Sequence, residues 1–155
     1  MLRKLIQTAL IQTTRDPTLT IARLALAIIF FAQGSQKMFG LFGGRGFSGT
    51  LELFNQTMGI PAPLTVLAMV AEVAGSIGLL LGLLSRVAAL GVLVVMIVAP
   101  FANGLYPRFF MNWTGRQTGE GFEYHILAVV LILGILVRGG GAFSLDGMIA
   151  SRKVE

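Results

Sequence analysis

The sequence predicts an all-α membrane protein: a bundle of four transmembrane helices with a short interfacial helix after the first. Three observations carry that expectation. Of 155 residues, 55% are hydrophobic and only 12% charged, with a mean hydropathy of +0.81, too apolar for a water-soluble domain. Apolar stretches of membrane length recur over 19–39, 64–84 and 87–106, with a shorter one over 122–137. The second of them, ending MVAEVAGSIGLLLGLL, holds a carboxylate, Glu72, at a depth where an ionisable group normally faces the protein interior and a partner.

Taken in order, residues 1–18 read as a cytoplasmic amphipathic segment, because Leu2, Leu5, Ile6, Ala9 and Leu10 recur at helical spacing beside Arg3 and Lys4. Asp16 and Pro17 mark the break before the first span. The membrane domain runs over 19–148 and a cytoplasmic tail over 149–155. The first span ends in QGSQK, and the glycines that follow (Gly40, Gly43, Gly44, Gly46 and Gly49) predict a sharply bent loop. Leu51, Phe54 and Met58 share one face of a short interfacial helix. Ser85-Arg86 is a very short turn between the second and third spans, and Pro100 is expected to kink the third. The stripe of Gly75, Gly78 and Gly82 lets a neighbouring helix approach closely.

The cationic residues set the orientation. An even number of spans puts both termini on one side, with Arg3, Lys4, Arg15, Arg23, Arg86, Arg138, Arg152 and Lys153. The opposite side carries the smaller set, Lys37, Arg45, Arg108 and Arg116, so both termini are expected in the cytoplasm.

Depths can be compared at about 1.5 Å per residue from the outer helix ends. Glu72 then lies about 12 Å deep, Gln33 about 9 Å, His125 about 6 Å, Asn103 about 4–5 Å and Lys37 about 3 Å. All four helices thus put polar groups into the outer half, whereas the inner half reads as almost purely Leu, Val, Ile and Ala. This asymmetry predicts a pocket opening outward, with Gln33, Gln36, Lys37, Glu72, Asn103 and His125 as ligand-binding candidates. Lys37 either reaches down to Glu72 or snorkels to the interface while Glu72 ties helices together. Glu72 and His125 are the candidates for proton transfer.

Other chemistries are excluded or disfavoured. With no cysteine, the chain cannot supply thiolate catalysis, disulfide exchange or Fe–S ligation, and one histidine excludes a bis-histidine haem. Glu120, Glu123 and His125 are too few for a closed metal site, so none is expected. The FGGRG stretch follows a helix and lacks the P-loop lysine, and the basic residues flank spans instead of forming a nucleic-acid stripe.

The chain resembles the DoxX family of small four-helix membrane proteins. The resemblance rests on QGSQKMFGLFGGRGF at 33–47, AEVAGSIGLLLGLLSRVAA at 71–89 and GGGAFSLD at 139–146, spread over nearly the whole chain. It departs at Gln33, where many relatives have histidine, so a role resting on that histidine is not carried over. The resemblance implies a bundle in the bacterial inner membrane and a link to redox chemistry, since the family is named after a subunit of a thiosulfate:quinone oxidoreductase.

The function expected is therefore a membrane redox-associated component binding a quinone or similar lipid-soluble ligand in an outer-leaflet polar pocket, with no intrinsic cofactor. Its partners would be membrane lipid and either a redox protein or further copies of itself. A non-catalytic scaffold is the alternative, and a small transporter subunit a second one. Whether the chain is itself an enzyme is left open by the residues.

Overall fold

In the computed structural model, residues 10–102, 109–116 and 121–152 are described. The first helix starts where the chain says it should. The Asp16 carboxylate accepts from the Thr18 backbone N–H at 2.8 Å and Pro17 takes the first helical turn, where its missing N–H costs nothing. Helix α1 then runs over Pro17–Phe39, and a single 3-10 turn at Leu41–Gly43 leads into α2, Gly46–Met58. After Pro61 come α3 (Ala62–Leu81), α4 (Ser85–Ala102), α5 (Glu123–Arg138) and α6 (Leu145–Arg152). All six are helices, and α2 occupies the place expected for the interfacial helix. The amphipathic segment expected over 1–9 and the loop residues 103–108 and 117–120 lie outside the described residues, and so does the end of the expected tail; Leu145–Arg152 is helical.

Three of these helices, α1, α3 and α4, are long and apolar enough to cross a membrane. The fourth expected span, α5, has 16 residues and is about 24 Å long, short of a hydrocarbon core of about 30 Å. The long helices pack in a ring. α1 lies against α3, α3 against α4 and α4 against α5, and a smaller contact returns from α5 to α1.

Leu26, Ala27, Phe30, Leu79, Val92, Met96, Ala128, Ile132 and Ile135 fill the ring's centre. The outward faces are equally apolar, with Ile28, Leu67, Val94, Leu127 and Val130 exposed. In water such a surface would aggregate; against acyl chains it carries no penalty.

Small residues set how closely the helices approach. A Cβ on Gly75 would sit 3.0 Å from Val92 Cγ2, and one on Gly78 would sit 3.0 Å from Ala88 Cβ, so both face α4. Gly82 differs from expectation. The helix stops at Leu81, earlier than the sequence suggests, because Gly82 adopts a left-handed φ of 65° and caps it. A Cβ there would lie 2.6 Å from Ser144 Cβ, so Gly82 packs on the C-terminal strap and not on a neighbouring span.

The half of the bundle away from Lys37 is also more polar than the sequence suggests. Arg23, Ser85, Ser144 and Asp146 are buried together at the end of the bundle where α1 begins, hereafter the Arg23 end. The Arg23 guanidinium donates to the carbonyls of Leu79 and Leu80 at the end of α3, and to Phe143 O at 3.3 Å. The Asp146 carboxylate accepts from the backbone N–H groups of Leu84 and Ser85, each at 2.8 Å, at the start of α4. Both charges therefore serve helix ends that have no water to bond.

Gly78→Leu should disrupt the α3–α4 contact, at a cost of about 1–3 kcal/mol for overpacking. Thermal unfolding in mild detergent should show a clear drop in midpoint and in folded yield. Wild-type melting would place that face against lipid instead.

Candidate functional site

One stripe of α1 makes the polar contacts at the opposite, Lys37 end of the bundle. Gln33 and Lys37 lie one turn apart and so share a face, yet each reaches a different neighbour. Gln33 Nε2 donates to Tyr124 Oη on α5 at 3.3 Å. Lys37 Nζ forms an ion pair and hydrogen bond with Glu72 Oε1 on α3. Between them, Gly34 allows the approach: a Cβ at that position would lie 2.8 Å from Val73 Cγ2 and 3.1 Å from Glu72 Cβ. Outside the pair, the Thr50 hydroxyl of α2 donates to the Lys37 carbonyl at 3.0 Å and ties α2 to the end of α1.

The pair is asymmetric in burial. The Glu72 side chain has no exposed surface, whereas that of Lys37 keeps 29%. Desolvating a carboxylate costs several kcal/mol, and the adjacent ammonium offsets it in a medium of low dielectric. The offset is incomplete in hydrogen-bond terms, because among the described residues Glu72 Oε2 has no hydrogen-bond partner. The same holds for His125 Nδ1, which is buried without a hydrogen bond. The His125 ring stands edge-on to Tyr124, 5.6 Å between centroids, so the two aromatic polar groups are neighbours.

The structure thus pairs Lys37 with Glu72 between α1 and α3, and Gln33 with Tyr124, the ring neighbour of His125, between α1 and α5. Gln36 is exposed and points elsewhere, its Nε2 donating to Phe42 O in the loop at 3.3 Å. Asn103 lies outside the described residues. Tyr124 is the residue that sequence reasoning did not single out; its signal was a phenol next to His125 at a span entrance. Among the described residues no group of three His, Asp or Glu side chains could hold a metal ion.

A groove of about 260 Å³ lies on the membrane-facing side of the α1–α3 seam, lined by Ile28, Phe31, Ala32, Phe42, Ile77 and Leu80 among others. It is almost wholly apolar, and none of the expected ligand-binding residues lines it. The Glu72 carboxylate of the charged pair is fully buried, away from this groove's lining.

Chemically, this end of the bundle offers an ammonium, an amide and a phenol as donors, and a carboxylate oxygen and an imidazole nitrogen without hydrogen-bond partners among the described residues. That set suits a carbonyl or hydroxyl head group, or the passage of a proton. Fold and seam together define a small all-helical membrane protein with a charged pair buried between its helices. The chain belongs to the DoxX family, whose family model matches residues 18–104, a range that includes Lys37 and Glu72 but not Tyr124 or His125. It is similar to Inner membrane protein YphA of Escherichia coli (strain K12), with 29% identity over 137 residues, covering 85% of this chain and 90% of that protein. No solved structure matches the chain.

Removing only the cation should be worse than removing both charges. Lys37→Met leaves Glu72 uncompensated and is expected to lower stability by about 2–3 kcal/mol, and Lys37→Met/Glu72→Gln should recover most of that. A double-mutant cycle on unfolding midpoints measures the coupling; strict additivity would mean that the pair contributes nothing.

Proposed function

We propose that the protein is an inner-membrane, redox-associated component that binds the polar head of a quinone or similar lipid-soluble molecule in the Lys37–Glu72 seam. The observation that carries this is a buried carboxylate with one oxygen paired and the other open. A purely structural acid in a tight seam would be expected to have both oxygens satisfied. Lys37 and Gln33 donate to the head group's carbonyls, while Glu72 and His125 accept or relay protons that accompany reduction. The chain carries no redox centre of its own in this reading, so electrons come from a partner protein.

The topology belongs to the same proposal. Four spans, with α5 as the short fourth, place both termini in the cytoplasm and the Lys37 end towards the outer face. The excess of cationic residues at the Arg23 end supports that orientation, and the name of the Escherichia coli relative supports the inner membrane as its place. Reporter fusions after Arg45 and after Arg116 should both read as external; a cytoplasmic signal at either position would reject the arrangement.

A non-catalytic scaffold is the second reading, and the tight crossing at Gly34 favours it. Transport is not supported by the polar cluster at the Arg23 end, because Arg23 and Asp146 are engaged in bonds to helix ends.

Glu72→Gln separates the first two readings. The amide has nearly the same size, so stability should stay within about 1–2 kcal/mol of wild type. Solvent extraction of purified protein should yield co-purified quinone from the wild type and at least about ten-fold less from the variant, the loss of one good hydrogen bond to the head group. Equal recovery from both would leave the acid as scaffold alone.

A further inference from the structure

The ring of helices is not closed equally all round. At Gly34 α1 and α3 are in direct contact, and at Gly75 and Gly78 so are α3 and α4. The α5–α1 junction is different at its two ends. At the Arg23 end, Thr14 N–H donates to Arg138 O at 3.0 Å and Ala142 N–H to Asp16 O at 3.1 Å. Arg138 Nη1 adds an ion pair with Asp16 Oδ2 at 3.8 Å. At the Lys37 end, the polar link between α1 and α5 among the described residues is the bond from Gln33 to Tyr124, neutral and at 3.3 Å long.

That bond has a direction. Gln33 donates, so the phenol oxygen is the acceptor and the phenol's own proton remains to be given to another group. Two buried atoms at this end lack hydrogen-bond partners among the described residues: Glu72 Oε2, on the carboxylate paired with Lys37, and His125 Nδ1, on the ring next to Tyr124. We propose that the α1–α5 seam at the Lys37 end is the entrance through which a lipid-soluble ligand reaches the charged pair from the bilayer, with Gln33–Tyr124 as its latch and Tyr124 as a ligand-binding residue. The ligand is a molecule whose head carries a carbonyl-type acceptor. As the head arrives, its oxygen replaces the phenol as acceptor for the Gln33 amide, and the Tyr124 hydroxyl donates to the same oxygen. One hydrogen bond breaks and two form. This entrance rests on the ligand-binding reading given above.

The chain has no cysteine, so pairs introduced for spin labels report without background. Ile29 and Ile126 are exposed near the latch, and Ile21 and Val137 are exposed near the Arg23 end of the same two helices. Electron–electron distance measurements in nanodiscs should show that Tyr124→Phe lengthens or broadens the Ile29–Ile126 pair and leaves the Ile21–Val137 pair unchanged. Gln33→Leu should do the same, which covers the case in which the Tyr124 variant folds poorly. Ubiquinone-1 added to wild type should lengthen the Ile29–Ile126 pair, and Tyr124→Phe should weaken its binding about ten-fold, as for one lost hydrogen bond.

An unchanged Ile29–Ile126 distance in both variants would overturn the entrance. Intact ubiquinone-1 binding in Tyr124→Phe, with loss in Glu72→Gln, would overturn the role of Tyr124 and leave the ligand reading standing. Wild-type protein that binds no ubiquinone-1 would remove the ligand reading, and the entrance with it.

Discussion

A carboxylate buried among apolar helices must be compensated, and much of this architecture follows from how Glu72 is. The ammonium that compensates it comes from α1, and it arrives only because Gly34 brings that helix within contact of Val73 and Glu72. The Lys37 carbonyl is in turn held by Thr50, which fixes α2 across the end of α1. One electrostatic requirement thereby sets the closeness of the largest helix contact and the seat of the short helix beside it.

The two ends of the bundle treat buried charge in opposite ways. At the Arg23 end, charges replace the water that helix termini would otherwise bond, and the Asp146 carboxylate uses both oxygens on backbone N–H groups. The strain of Leu84, whose φ is 47°, is held in place by the same carboxylate. At the Lys37 end, the acid uses one oxygen and leaves the other open. Both oxygens of Asp146 are thus committed to support, while Arg23 Nε and Ser85 Oγ of the same cluster have no hydrogen-bond partner among the described residues. Of the two buried carboxylates, Glu72 is the one with an oxygen left for a ligand or a proton.

Much of the helical layout was legible in the sequence, because span length and hydropathy depend on composition alone. The contact of Lys37 with Glu72 was legible too, since rise per residue converts position into depth and the i,i+4 stripe gives direction. The inner cluster was not. An arginine near a span's cytoplasmic end reads as a topology signal, and nothing local shows that Arg23 turns inward to the carbonyls of α3. Asp146 lies far along the chain in a glycine-rich tail, so its partners at Leu84 and Ser85 depend on tertiary folding. Gly82 misled for a related reason: a GxxxG spacing and a helix-capping glycine look alike until the backbone angle is known.

In the four-span arrangement proposed above, the shortness of α5 would set the depth at which its polar first turn meets the lipid. A spanning helix of about 24 Å in a core of about 30 Å would be accommodated by thinning the bilayer around it, so the headgroup region would dip towards its ends. Tyr124 and His125, at the first turn of that helix, would then stand close to hydrated headgroups. An amphiphile could present its polar head to them while its hydrocarbon chain stays at its ordinary level in the leaflet. Hydrophobic mismatch would in that way lower the barrier to partitioning, and membrane thickness itself would tune how readily the seam is reached.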